Sequence, residues 1–214
     1  KNPLTSLKSA VEMFSRAKDD ASREKLMAVV RNDVRRIDRL ISDISDASRL
    51  DAELNRETPA PVDLTHLLET IVEVYKFMQL PRGVTLSLAS DLPPETMVFA
   101  RDERLGQVFR NLIDNAVSFS PDNATVSITA RKEGGKAIVA VADEGPGIPS
   151  DNLESVFNRF YTERPSEHGF GNNSGLGLSI ARQIVNGVNG RIWAENRDGG
   201  GARFVVELPV ARAI

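Results

Sequence analysis

The sequence predicts an α+β protein in two parts: a helical hairpin, then a larger domain with helices layered on one face of a mostly antiparallel sheet. Three observations carry this. Residues 4–14 and 26–47 place apolar side chains at the spacing of a helical-bundle seam. The stretch ETPAPVDL, 57–64, breaks that period with two prolines. Beyond it, helical periods mingle with short strand patterns. The expected boundaries are a hairpin over 1–56, a linker over 57–62 and the larger domain over 63–214.

In the hairpin, Leu4, Leu7, Val11 and Phe14 make the first seam, and KDDAS at 18–22 offers a turn with Ser22 as the next N-cap. Leu26, Val30, Val34, Ile37, Ile41, Ile44 and Ala47 resume it. The second helix should run about thirty residues against about eighteen in the first, so roughly ten further residues are expected before Lys1, or a partner chain over the overhang. The narrow seam predicts a dimeric four-helix bundle. With no initiator Met, the chain reads as a piece of a longer protein.

In the larger domain, Asp63 can cap a helix through Leu67, Leu68, Ile71, Val72, Val74 and Tyr75, ending before Pro81. Strands are expected at 84–90 and 97–100, then a helix from an Asp102 N-cap to Phe119. A hairpin of TVSITARK and AIVAVAD follows around Gly134 and Gly135. A helix over 150–157, a polar stretch over 162–174, a helix from Leu176 to about Val188 and strands near 190–195 and 203–208 complete the expectation.

Composition sets limits on function. Across 214 residues, 41% are hydrophobic and 27% charged, as in a globular protein, and the net charge of −3 argues against a general nucleic-acid binder. No apolar run is long enough to span a bilayer, and no Cys is present to form disulfides or thiolate metal sites.

Three stretches carry chemistry. On the 102–119 helix, Gln107, Asn111, Asn115 and Ser118 share one face. Neutral carboxamides suit a hydrated cation or an oriented water, and they equally suit a satisfied polar seam. AVADEGPGIP, 140–149, puts Asp143 at a strand end before Gly145 and Gly147, where a carboxylate can accept from an exocyclic amine. The same residues would serve a plain strand-to-helix turn. NNSGLGLSIARQIV, 172–185, opens a helix with Gly175 and Gly177, a phosphate-friendly N-terminus or simply a tight turn. It lacks the Lys-Ser/Thr of a Walker loop.

Taken in order, these motifs resemble the Bergerat-type ATP-binding fold shared by gyrase, Hsp90-type chaperones, sensor histidine kinases and MutL. NLIDNAVSFSP is similar to the histidine-kinase N box, DEGPGIP to G1, VFNRFYTERP to the F box, GLGLSIA to G2 and GGGARFVVELP to G3. KNPLTSL looks like the end of an H box. The chain is thus identified as a member of the two-component sensor histidine kinases, and DVRRIDRLISDISDASRLDAEL with FYTERP is similar to ChvG-type envelope sensors.

The resemblance implies an ATP–Mg²⁺ enzyme. Asp143 would bind the adenine amine, with Gly145 and Gly147 shaping the base pocket. Asn115 would ligate Mg²⁺, and Asn111 would hold the metal's water or polarise the phosphoryl environment. Gly175, Leu176, Gly177 and Leu178 would open the phosphate-receiving helix. Thr162 to Ser174 would form a lid based on Phe157, Phe160 and Tyr161, with Arg159 or Arg164 meeting the γ-phosphate. For Arg159 a surface salt bridge is the competing reading. Ser118 departs from the family, which usually has Lys there.

The phospho-accepting His would lie three residues before Lys1. Asn2 would then serve dephosphorylation, and Pro3 would bend the helix as a hinge. The implied partners are a second copy of the chain through the hairpin and a response regulator docking near Thr5, Lys8 and the second helix. The membrane would be met only through upstream segments, making this the cytoplasmic part of an inner-membrane sensor. His66 is expected at the surface, His168 in the lid and Trp193 in packing. The competing functions are an ATP-driven clamp of the gyrase and MutL type, which would need a water-activating Glu near Asn111, and a pseudokinase scaffold.

Overall fold

The computed structural model describes residues 3–14, 19, 22–31, 34, 37, 58–161 and 175–211. It divides into two compact units, one ending at Glu53 and the other beginning at Leu54. In the first, α1 spans Pro3–Phe14 and α2 spans 22–31, with Val34 and Ile37 also helical. Pro3 is the first residue of α1, so the expected bend falls outside the described residues. Asp19, not Ser22, caps α2: its carboxylate accepts the Ser22 N–H at 2.8 Å and its carbonyl the Arg23 N–H at 3.2 Å. An ionised carboxylate is the better acceptor at the positive end of a helix. Along the expected seam Leu7, Leu26, Val30 and Ile37 are half-buried, whereas Val11, Phe14 and Val34 are exposed.

The second unit contains β1 (Ala60–Asp63), α3 (Leu64–Phe77), β2 (Thr85–Asp91), β3 (Met97–Ala100), α4 (Asp102–Phe119), β4 (Thr125–Glu133), β5 (Lys136–Ala142), α5 (Gly177–Gly187), β6 (Arg191–Asn196) and β7 (Ala202–Pro209). Five strands form one sheet in the order β2-β4-β5-β7-β6, with β2 and β4 parallel and the other pairs antiparallel. Helices α3, α4 and α5 lie side by side on this sheet, α4 in the middle. Val126, Val139 and Val206 are fully buried on three neighbouring strands, and Leu105, Phe109, Leu112 and Ile184 are equally buried on the helices. On alternate β5 and β7 positions Ile138, Ala140 and Val205 form a second cluster under Trp193, which confirms its packing role on the edge strand.

Three sequence expectations change in this unit. Residues 60–62, expected in the linker, belong to β1, which pairs antiparallel with β3 from Ala60↔Ala100 to Asp63↔Met97. Pro61 is tolerated there because β1 is an edge strand. The expected helix over 150–157 is two 3₁₀ turns, Ser150–Asn152 and Ser155–Phe157. Ser, Asp and Asn in that segment compete for backbone groups and favour turns over a continuous helix. Asp102 is the first residue of α4, while Arg101 occupies the N-cap without a side-chain bond. Asp102 and Glu103 in the first turn instead complement the helix dipole. Asp63 does cap α3, accepting from Thr65 and His66 N–H, and His66 is exposed as expected.

Candidate functional site

The carboxamide face of α4 meets the glycine-opened helix α5. Asn111 Nδ2 donates to the Gly177 carbonyl at 3.0 Å, so part of the stripe is a seam between helices. One turn on, Asn115 is half-buried, and no side chain or backbone group among the described residues takes its carboxamide. Ser118 Oγ turns back onto the Asn115 carbonyl at 2.8 Å. A short hydroxyl that bonds its own helix adds no charge to this face.

The two glycines before α5 have different reasons. Gly175 has φ +74°, and a Cβ there would sit 2.9 Å from the Phe160 carbonyl carbon, so the turn itself demands glycine. At Gly177 the nearest atom to a Cβ would be Asn111 Cγ at 3.5 Å, an ordinary contact. Among the described residues neither backbone nor neighbours require glycine at 177, which suits a ligand that approaches the helix mouth. The N-cap, Leu176, is 1% exposed and offers no side-chain acceptor to the first-turn N–H groups, and Leu178 is half-buried on that turn. An N-terminus whose N-cap residue supplies no side-chain acceptor suits phosphate oxygens.

Asp143 follows β5 and is 2% exposed. Its Oδ1 accepts the Gly145 N–H at 2.8 Å and the Ala202 N–H at 3.1 Å. Among the described residues Oδ2 has no protein donor, so one carboxylate oxygen is fixed and the other is open to a ligand donor. Burial pushes its pKa up, opposed by the bonds from Ala202 and Gly145 and by the Arg197 charge. Gly145 is glycine because a Cβ would lie 2.6 Å from the Phe119 carbonyl, which lets this loop close on the end of α4.

The F-box segment meets the same region. Phe157 is buried edge-to-face on Phe204, with centroids 6.1 Å apart, and Arg182 stacks on it at 4.8 Å while pairing with Glu154. Phe160 N–H bonds the Gly175 carbonyl at 2.9 Å, so the described residues flanking 162–174 are in contact. Phe160 is exposed with φ +65°, Tyr161 is half-buried and Arg159 is exposed. Asn2, Arg164, His168 and the expected lid lie outside the described residues.

Sequence reading missed three supporting residues. Arg82 donates to the Val117 and Ser118 carbonyls at 2.8 and 3.2 Å, satisfying the C-terminal end of α4. Asn196 and Arg197 bond the Asp143 loop. All three act from distant sequence positions and sit in no recognisable spacing.

The sequence profile described as "Histidine kinase-, DNA gyrase B-, and HSP90-like ATPase" matches residues 100–212, the stretch that holds Asn111, Asn115, Asp143 and the glycines before α5. The chain belongs to this family, as a sensor histidine kinase. The "His Kinase A (phospho-acceptor) domain" profile matches residues 1–53, in line with the expected hairpin. "Sensor protein ChvG" of Agrobacterium fabrum is 45% identical over 222 residues, covering 99% of this chain and 37% of that protein. Its namesake in Rhizobium meliloti is 47% identical over 220 residues, covering 98% of this chain and 38% of that protein. The chain thus spans well under half the length of these relatives. Among solved structures, histidine kinase ThkA in complex with response regulator protein TrrA matches with a TM-score of 0.79 at 25% identity, over 98% of this chain and 58% of that one. The mycobacterial sensor histidine kinase MprB matches with a TM-score of 0.62 at 26% identity, over 72% of this chain and 99% of that one. The α+β architecture is the one these kinases share.

Proposed function

We propose that this sensor histidine kinase core binds ATP with Mg²⁺, transfers the γ-phosphoryl group to a His upstream of Lys1, and passes it to an Asp of a response regulator. The observation that carries this is the Asp143 carboxylate, with Oδ1 held by two backbone N–H groups and Oδ2 open. Adenine offers an amine to such an acceptor. The α5 N-terminus at Gly177 would receive the phosphates, tied by Asn111 to the helix that bears Asn115.

Among the described residues no three His, Cys, Asp or Glu side chains cluster to hold a metal. A single half-buried carboxamide suits Mg²⁺, which keeps several waters and shares its shell with substrate phosphates, and Asn115 would be its protein ligand. The ion would supply charge neutralisation between phosphate oxygens. Asn111, already donating to Gly177, holds the α4–α5 junction and orients that phosphate-facing turn. An exposed arginine at 159, or Arg164, would offer a guanidinium to the γ-phosphate.

The exposed Val11, Phe14 and Val34 on the hairpin support pairing with a second copy. The response-regulator complex of ThkA supports docking of a receiver domain. Asn2 would assist dephosphorylation of that regulator. No helix among the described residues is long and apolar enough to cross a membrane, so anchoring at an inner membrane would come from segments upstream.

The test is a chain extended upstream to include the His, incubated with γ-labelled ATP. Acid-labile label on that His, chased onto a receiver domain, is the expected result. Steady hydrolysis without label would mark a clamp-type ATPase, and absence of nucleotide binding a pseudokinase.

A further inference from the structure

The loop that carries Asp143 is held from outside by the turn between β6 and β7. Asn196, the last residue of β6, makes two bonds to one residue: Nδ2 donates to the Ile148 carbonyl at 2.7 Å, and the Ile148 N–H donates to Oδ1 at 2.8 Å. A carboxamide has the donor and acceptor of a peptide group, so this pair substitutes for a missing rung of backbone ladder. One residue on, Arg197 Nη1 donates to the Asp143 backbone carbonyl at 2.5 Å. The turn is closed on itself, Arg197 N–H to the Gly201 carbonyl at 2.9 Å and Gly200 N–H to the Arg197 carbonyl at 3.2 Å. Beyond it Ala202 exchanges bonds with Asp143, donating to Oδ1 at 3.1 Å and accepting the Asp143 N–H at 2.9 Å. A Cβ at Gly201 would overlap the Asp143 carbonyl oxygen, and one at Gly147 would lie 2.9 Å from Asn196 Oδ1. Two adjacent residues thus grip both ends of the loop, at Asp143 and at Ile148.

We propose that Asn196 and Arg197 are positioning residues for base recognition: the β6–β7 turn fixes the Asp143 loop so that the kinase discriminates an adenine from a guanine nucleotide. This rests on Asp143 being the base-binding residue. Adenine presents an amine donor where guanine presents a carbonyl, so an immobile acceptor favours one and repels the other. A loop released at either end can draw the carboxylate back, so the affinity for adenine falls while guanine, which has no donor for Asp143 at that position, changes little. Each side chain donates one hydrogen bond to the loop backbone, which places their effect in its position.

The experiment titrates the full chain with ATP and with GTP by calorimetry, alongside thermal melts, for wild type, Asn196→Ala, Arg197→Met and Arg197→Lys. Loss of the bonds to Ile148 or Asp143 is expected to weaken ATP binding about fivefold to tenfold while GTP binding changes little, so that the ATP/GTP ratio falls by the same factor. Arg197→Lys, which keeps a charged donor, should retain more of the ratio than Arg197→Met. A wild-type ratio in both Asn196→Ala and Arg197→Met overturns the proposal, even if both melt at lower temperature. Should Asn196→Ala not fold, the Arg197 pair decides alone. Unchanged ATP affinity in Asp143→Asn would instead overturn the assignment of Asp143 itself.

Discussion

Replacing Asp143 by Asn separates the ligand contact from the fold. Asn can keep its carbonyl oxygen where Oδ1 accepts the Gly145 and Ala202 N–H groups, at 2.8 and 3.1 Å. Its NH₂ then stands in place of Oδ2, so a donor faces the donor amine of adenine. A hydrogen bond to a charged acceptor is worth about 1.5–3 kcal/mol, which corresponds to roughly a 10- to 150-fold rise in the ATP Kd. Stability should move the other way or stay level. Asp143 is 2% exposed and burial penalises its charge, so a neutral amide removes an unfavourable term from the nucleotide-free protein. Calorimetric titration with ATP, paired with urea unfolding in its absence, reads both quantities. Equal ATP affinity in the two proteins, or a loss of affinity matched by a loss of stability, refutes the reasoning.

Three further outcomes follow from the same geometry. Gly177→Ala should fold with unchanged or slightly higher stability, because the new Cβ meets Asn111 Cγ at 3.5 Å and alanine is the better helix former by up to about 1 kcal/mol. Its ATP affinity should drop, and unaltered binding in a titration would remove the phosphates from that helix mouth. Arg82→Ala leaves the Val117 and Ser118 carbonyls without their donor and should cost about 1–3 kcal/mol in urea unfolding. A value near zero would mean that water replaces the guanidinium without loss. Because burial raises the Asp143 pKa, its proton is held more tightly in the folded than in the unfolded chain. Its contribution to stability therefore falls as pH rises from the unfolded-state pKa through the folded-state one. ATP affinity does the reverse, weakening as pH drops through the raised folded-state value. A titration series across acidic pH, with Asp143→Asn as a pH-flat control, checks the sign.

Much of the site was legible because its residues are local in sequence. The α4 stripe repeats at helical spacing, and the glycines near 145 and 175 lie within a few residues of the elements that they join. The structure explains Gly145 and Gly175 by close backbone approach, yet leaves Gly177 with no packing reason, a distinction that a run of glycines cannot show. Asn111 likewise stood between seam and site, and its bond to Gly177 makes it the link between two helices that sequence reading treated separately. Where expectations failed, at β1 and at 150–157, pairing and local side-chain bonding outweighed pattern: Pro61 looked like a linker residue until β3 supplied a partner on one side.

By itself the sequence determined the α+β class, most of the order of the elements and the set of candidate site residues, since amphipathic periods and motif spacings are short-range properties of the chain. Only the tertiary structure decided which of those residues are free to act. Whether Asp143 has an open oxygen, and whether its loop is fixed, depends on Ala202, Asn196 and Arg197, more than fifty residues away along the chain. Hydrogen bonds between such distant groups exist only after β5, β6 and β7 have paired, so no local pattern encodes them.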